Sequence, residues 1–198
     1  MIKFKTLRWK NMLSTGNYFI EMKLDSHPNT LVVGTNGSGK STMLDALCFA
    51  LFGKAFRNIN KPTLINSINN KDCLVEVEFQ VGIKNYKVVR GIKPNIFQIY
   101  QDGVLLNQDA ATKDYQDYLE RFIIKLDFKS FTQIVILGSA SFVPFMQLSA
   151  ADRRAIIEDL LDIQIFSSMN SLVKSRSSAN KDSIIIKKNE LELVKQKY

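Results

Sequence analysis

Gly34-Thr35-Asn36-Gly37-Ser38-Gly39-Lys40-Ser41 fills every fixed position of the pattern G-x-x-x-x-G-K-[ST]. Before it, Thr30-Leu31-Val32-Val33 is a β-prone apolar run that predicts a buried strand; after it, Thr42 to Phe52 predicts a helix, with Gly53 placed to end it. The order strand, glycine-rich loop, helix is the context in which this spacing has chemical meaning. Gly37 and Gly39 let the backbone curl into a concave nest of N–H groups, and the first helical turn adds open donors and a positive dipole end. Such a nest suits a polyphosphate. In it Lys40 would reach the β and γ phosphates, Ser41 would place its hydroxyl on Mg²⁺, and the amides of Gly39 to Thr42 would hold the β and α phosphates. The candidate site is therefore Gly37, Ser38, Gly39, Lys40, Ser41 and Thr42, with Lys40 as the catalytic cation, Ser41 as the metal ligand, and ATP and Mg²⁺ as cofactors. The alternative is a glycine-rich turn that only joins strand to helix.

The 198 residues are 45% apolar, enough for one domain with a buried core and too much for a disordered chain. Lys and Arg number 27 against 19 Asp and Glu, a balance that suits a polyanionic partner without requiring one, since many basic proteins bind none. Cys48 and Cys73 have neither CxxC spacing nor a His cluster, which reads as two reduced thiols. His27 sits in the turn-like Asp25-Ser26-His27-Pro28-Asn29 and reads as an exposed loop residue. No signal-peptide pattern opens the chain and no apolar run approaches a membrane span, so the expected location is cytoplasmic.

Outward from the loop, the opening Ile2-Lys3-Phe4-Lys5 alternates, and Tyr18, Ile20, Met22 and Leu24 alternate against Glu21 and Lys23, predicting two antiparallel strands. Lys54 to Asn70 is polar and predicts loop with a short helix. Val75, Val77 and Phe79 face one way and Glu76 and Glu78 the other; Asn85 to Arg90 pairs back across Gly82. Ile96 to Tyr100, turned by Asp102-Gly103 into Val104 to Leu106, completes a meander with one wet face. Thr112 to Ile124 is helical by pattern, whereas Ser130 to Leu137 fits helix or strand. Ser149-Ala150-Ala151-Asp152 resembles a capping box and opens a helix through Ile156, Ile157, Leu160 and Leu161. From about Ser167 to the end there is no glycine or proline, and Ile184, Leu191 and Tyr198 fall seven apart with Val194 in register. Barely two heptads leave this tail open between a solvated helix and a coiled coil.

Together these motifs resemble the SMC-like DNA-repair ATPases of the Rad-fifty and SbcC type, including the large subunits of phage recombination endonucleases. The likeness extends from Trp9-Lys10-Asn11-Met12-Leu13-Ser14 through Ala50-Leu51-Phe52-Gly53-Lys54 and Tyr86-Lys87-Val88-Val89-Arg90 to Phe131 through Leu148 and Arg153 through Leu161. It implies an α/β P-loop fold: the N-terminal lobe of an ABC/SMC-type ATPase head over 1–165, with an antiparallel β-meander, followed over 166–198 by the helical start of a coiled-coil arm. It also implies a homodimer of heads closing on ATP, a nuclease subunit as partner, DNA as substrate, and the host cytoplasm if the chain is phage-encoded. Asn36 stands where the family places Asn near the γ phosphate, and Lys54, Arg57 and Lys61 are candidates to face DNA.

The chain departs from the family in three places. Leu13 stands where many cellular members carry a nucleotide-contacting Arg. Ser139 occupies the slot of the family's Q-loop Gln, with Gln133 and Gln147 as nearby substitutes. No LSGG-like signature and no strand ending in Asp-Glu is found, so both are expected from a C-terminal lobe outside these residues, and hydrolysis is expected only with that lobe. Two other readings compete: a short nucleotide- or DNA-binding module or split subunit without catalysis of its own, and a small P-loop kinase.

Overall fold

The computed structural model describes residues 2–57, 59–106, 112–136, 145–161 and 163–195. The chain divides into two compact units, Met1–Ser149 and Ala150–Tyr198. The 165/166 boundary implied by the resemblance falls inside the second.

In the first unit, β1 (Ile2–Lys10), β2 (Ile20–Lys23), β3 (Cys73–Val81), β4 (Lys84–Ile92), β5 (Ile96–Gln101) and β6 (Val104–Leu105) form one sheet in the order β2-β1-β3-β4-β5-β6, with every pairing antiparallel. The period of two does what the sequence requires. On β3, Cys73, Val75, Val77 and Phe79 are buried, while Glu76 and Glu78 face the wetter side. There Glu76 lies 3.5 Å from Arg8 on β1 and 2.9 Å from Lys87 on β4, a cross-strand triad that fixes register as well as charge.

Helix α1 (Thr42–Phe52) packs its apolar length into the same core as Leu7, Trp9, Val75, Val77, Val88 and Ile99. Nine of its eleven residues are buried, so the helix is apolar on nearly every side rather than on one stripe. Gly53 ends it with φ 68°, and a Cβ there would come within 3.0 Å of Arg90 Nη1. That arginine, buried on β4, donates from Nε to the Ala50 carbonyl at 3.0 Å and from Nη2 to Gln116 Oε1 at 2.6 Å, and lies 3.7 Å from the Phe97 ring centroid. A cation thus covers the negative end of the α1 dipole. Burial pulls the guanidinium down to about 9, with Glu120 opposing the shift, so it stays charged at neutral pH.

Helix α2 (Thr112–Tyr118) runs on into a π-helical stretch, Leu119–Ile124, so Thr112 to Ile124 is helical as the pattern predicts, with a wider winding at its end. The wider winding lets Leu119, Ile123 and Ile124 all reach the core. The ambiguous run resolves as α3 (Phe128–Ile134), whose Asp127 cap accepts from the Ser130 amide at 2.7 Å. Phe131 packs 5.1 Å from Phe52 and 6.1 Å from Phe4, tying α3 to α1 and β1; Leu137 lies outside the described residues.

One expectation fails. Thr30-Leu31-Val32-Val33 is not a buried strand: the segment is irregular, and Leu31, Val32 and Val33 are 86%, 39% and 77% exposed. A strand needs a neighbour for its N–H and C=O groups, and the six-stranded sheet of the described residues includes no strand from this segment.

The second unit holds α4 (Ala150–Leu160) and α5 (Gln164–Lys195). On α5, Ile165, Phe166, Met169, Leu172, Val173, Ile184 and Leu191 are all exposed, and Tyr198 lies outside the described residues. No helix among the described residues is long and apolar enough to cross a membrane.

Candidate nucleotide site

The loop before α1 is built as a nest. Gly37 and Gly39 have φ of 85° and 91°, values that L side chains rarely adopt. Gly34 meets a different constraint, since a Cβ there would stand 2.5 Å from Ser38 Oγ. The Ser38 amide donates to the Thr35 carbonyl at 3.2 Å, and the Thr42 amide to the Gly39 carbonyl at 2.9 Å, which closes the loop onto the first turn. No side chain caps α1; its Thr42 amide is engaged by Gly39, and its Leu44 and Asp45 amides donate to the Ser41 carbonyl. Lys40 folds back over the loop and donates from Nζ to the carbonyls of Gly34 at 2.6 Å and Thr35 at 2.8 Å. Its charge therefore hangs over the concave side. Ser41 is exposed at the rim.

A pocket of about 370 Å³ opens here. Asn36, Gly37, Gly39, Lys40, Ser41 and Thr42 of the loop and first helical turn line it together with Leu13, Ser14, Arg57 and Ile59. Of the predicted residues only Ser38 is not in the lining, its hydroxyl being turned onto Gly34. Gln133 and Gln147 stand outside it, on α3 and in the 3-10 turn Phe145–Gln147, while Ser139 lies outside the described residues.

Sequence reasoning placed Arg57 toward DNA. In the structure it joins this pocket, held by Asp45 of α1. The fully buried Asp45 carboxylate accepts from the Arg57 amide at 3.0 Å and from Nε at 2.8 Å, and also pairs with Nη2. A carboxylate buried to that depth requires a hydrogen-bonded cation. The signal was present: Asp45 is the single charge in an otherwise apolar helix. Lys54 instead lies 5.9 Å from the Phe128 ring centroid, and Lys61 donates to Asn95 at 3.1 Å. Both line a neighbouring pocket of about 350 Å³ that Arg57 shares. Burial, then the charge of Arg90, lowers the Lys61 ammonium below its usual range.

The AAA domain family matches residues 6–198. The chain belongs to that family. It is similar to exonuclease subunit 2 of Escherichia phage RB69, 45% identical over 174 residues, 88% of this chain and 31% of that protein. A probable DNA double-strand break repair Rad50 ATPase of Aquifex aeolicus is 26% identical across 83% of this chain and 17% of its own length. The chain thus spans less than a third of the length of these curated relatives. Among solved structures, the Smc head domain of Pyrococcus furiosus, with an extended coiled coil, superposes with a TM-score of 0.59 at 21% identity, covering 100% of this chain and 53% of that one. The fold is that of the N-terminal lobe of an SMC-type ATPase head.

Proposed function

We propose that this chain is the N-terminal, ATP-binding half of an SMC-like ATPase that controls a nuclease during repair or recombination of DNA double-strand breaks. The observation that carries the reading is the nest itself. Positive-φ Gly37 and Gly39 shape the cradle, Lys40 hangs over it, and α1 begins at its floor. These residues fit a Mg²⁺-bound nucleoside triphosphate. Lys40 would take the β and γ oxygens, the amides of Gly39 to Thr42 the β and α oxygens, and Asn36 would approach the γ phosphate. Among the described residues no group of three His, Cys, Asp or Glu could hold a metal; Mg²⁺ would take phosphate and water oxygens together with Ser41 Oγ. Bound Mg²⁺ would neutralise phosphate charge, and Arg57, braced by Asp45, would add a second fixed cation.

The lining contains no carboxylate. Turnover needs a group that orients the attacking water, and in this reading that group and the signature motif come from a C-terminal lobe. The exposed Leu31-Val32-Val33 supports the same reading, because a strand from a second lobe would give it a neighbour. The exposed apolar residues of α5 support a coiled-coil arm over 166–198, and two heads would close as a homodimer on ATP. Nuclease subunit and DNA are the proposed partners. DNA affinity would fall steeply with salt if phosphate contacts dominate.

The lining also favours a second reading, a nucleotide-binding module that never turns over. Co-expression with the C-terminal third of a relative such as the RB69 subunit separates the two. Mg-ATP hydrolysis by the pair and not by the chain alone is the expected result. Steady turnover by the chain alone, or none by a folded, ATP-binding pair, would count against the first reading.

A further inference from the structure

The part of the pocket lining that comes from the β1–β2 connection is held by an arrangement the phosphate cradle does not explain. Between β1 and β2 the chain passes through Asn11 and Leu13 with φ of 50° and 51°. A leucine in that conformation is strained and persists only where its surroundings over-determine it. The turn at Leu64 to Asn70 supplies that constraint. The Leu13 amide donates to the Leu64 carbonyl at 2.7 Å, Met12 bridges Ile65, and the Asn66 amide donates to the Asn11 carbonyl at 2.8 Å. Asn66, nearly fully buried, uses both ends of its side chain. Its Nδ2 donates to the Leu13 carbonyl at 2.9 Å, while Oδ1 accepts from the amides of Ile68 and Asn69, each at 3.0 Å. Fully buried Asn11 adds a second stitch, accepting from Asn69 Nδ2 at 2.7 Å.

Leu13 and Ser14 are where this clamp meets the pocket, and Ser14 Oγ would stand 3.6 Å from a Cβ on Gly39. With phosphates taken by the loop, the apolar pair Leu13 and Ile59 is the part of the wall suited to a nucleoside. We propose that Asn66 is a positioning residue: through Leu13 it fixes the wall that gives this pocket its preference for a nucleoside triphosphate over a bare polyphosphate. The inference rests on the nucleotide reading of the site.

The test compares Mg-ATP with Mg-tripolyphosphate as probes of the whole chain by titration calorimetry. Asn66→Asp keeps an acceptor for the Ile68 and Asn69 amides and turns the donor to the Leu13 carbonyl into an oxygen that repels it, with a buried charge that lowers stability as well. Leu13→Ala keeps every backbone bond and removes only the wall. Both variants should lower the preference for ATP by about fivefold to tenfold, the scale of one hydrogen bond or one apolar contact, with tripolyphosphate affinity held within about twofold. An unchanged preference in either variant overturns the inference. So does a parallel loss of both ligands in a variant that melts like wild type, because the clamp would then serve the phosphate cradle. Wild type binding neither probe would overturn the nucleotide reading itself.

Discussion

β3 and the segment Leu31-Val32-Val33 have similar β-prone side chains and opposite fates. β3 has β1 on one side and β4 on the other, and its apolar face lies under α1. Leu31-Val32-Val33 leads directly into the functional loop, yet belongs to no sheet among the described residues and stands in solvent. Propensity describes what a residue tolerates, whereas burial requires a neighbour. The difference locates the self-sufficient part of the molecule in the meander and the α1 core, and the dependent part at the irregular segment that feeds the glycine-rich loop.

The sharpest way to break that contrast is Phe79→Ala on β3. Phe79 is buried against Phe4 at 5.8 Å and Tyr86 at 5.7 Å, and its loss should destabilise the chain by about 3–5 kcal/mol, read as a denaturant midpoint. A loss under about 1 kcal/mol would mean the meander is not the stable part. Arg57→Ala comes next, because it leaves the Asp45 carboxylate buried without its cation. The expected loss is about 3 kcal/mol, with Arg57→Lys recovering part of it. Equal stability of the alanine and lysine variants would remove charge from the explanation.

A third effect is graded by pH. Burial pushes the Cys48 and Cys73 thiols up to about 12 from an ordinary 9.0, and Asp45 adds to the shift of Cys48. An acid raised on folding contributes stability that is complete below its unfolded value and is lost as pH climbs through the window from 9.0 to about 12. The melting temperature should therefore decline across that window, and less so in Cys73→Ala; identical profiles for variant and wild type would exclude this contribution. The smallest effect belongs to the other region. Leu31→Ser should change the stability of the chain by no more than about 0.5 kcal/mol while weakening its association with a C-terminal lobe. Destabilisation as large as that of Phe79→Ala would show that the segment is already buried in the core.

The same contrast explains what could be read in advance. The limits of α1, its end at Gly53 and the pairing of β3 with β4 follow from periodicity and turn residues within a dozen positions, so they were legible. The strand at Leu31 was misread because nothing local tells whether a neighbour exists. The π-helical winding of Leu119–Ile124 depends on three side chains reaching one core, which a helical pattern does not encode. At the site, the loop residues were legible from spacing alone. For Arg57 the lone charge of Asp45 signalled that a partner was needed but not which one, and the clamp of Asn11, Leu13 and Asn66 gave no signal, since Asn66 meets Leu13 fifty-three positions away. Such pairs become visible only when the fold brings them together.

The most direct test is calorimetric titration of the chain with Mg-ATP, wild type beside Lys40→Ala. Lys40 is on the rim and its two bonds go to exposed loop carbonyls, so the variant should melt within about 1 kcal/mol of wild type. The expected result is one saturable site in wild type and binding weaker by about 100-fold in the variant, the worth of a charged contact to phosphate. Equal affinity in both proteins, or none in wild type, would contradict the assignment of the glycine-rich loop as the nucleotide site.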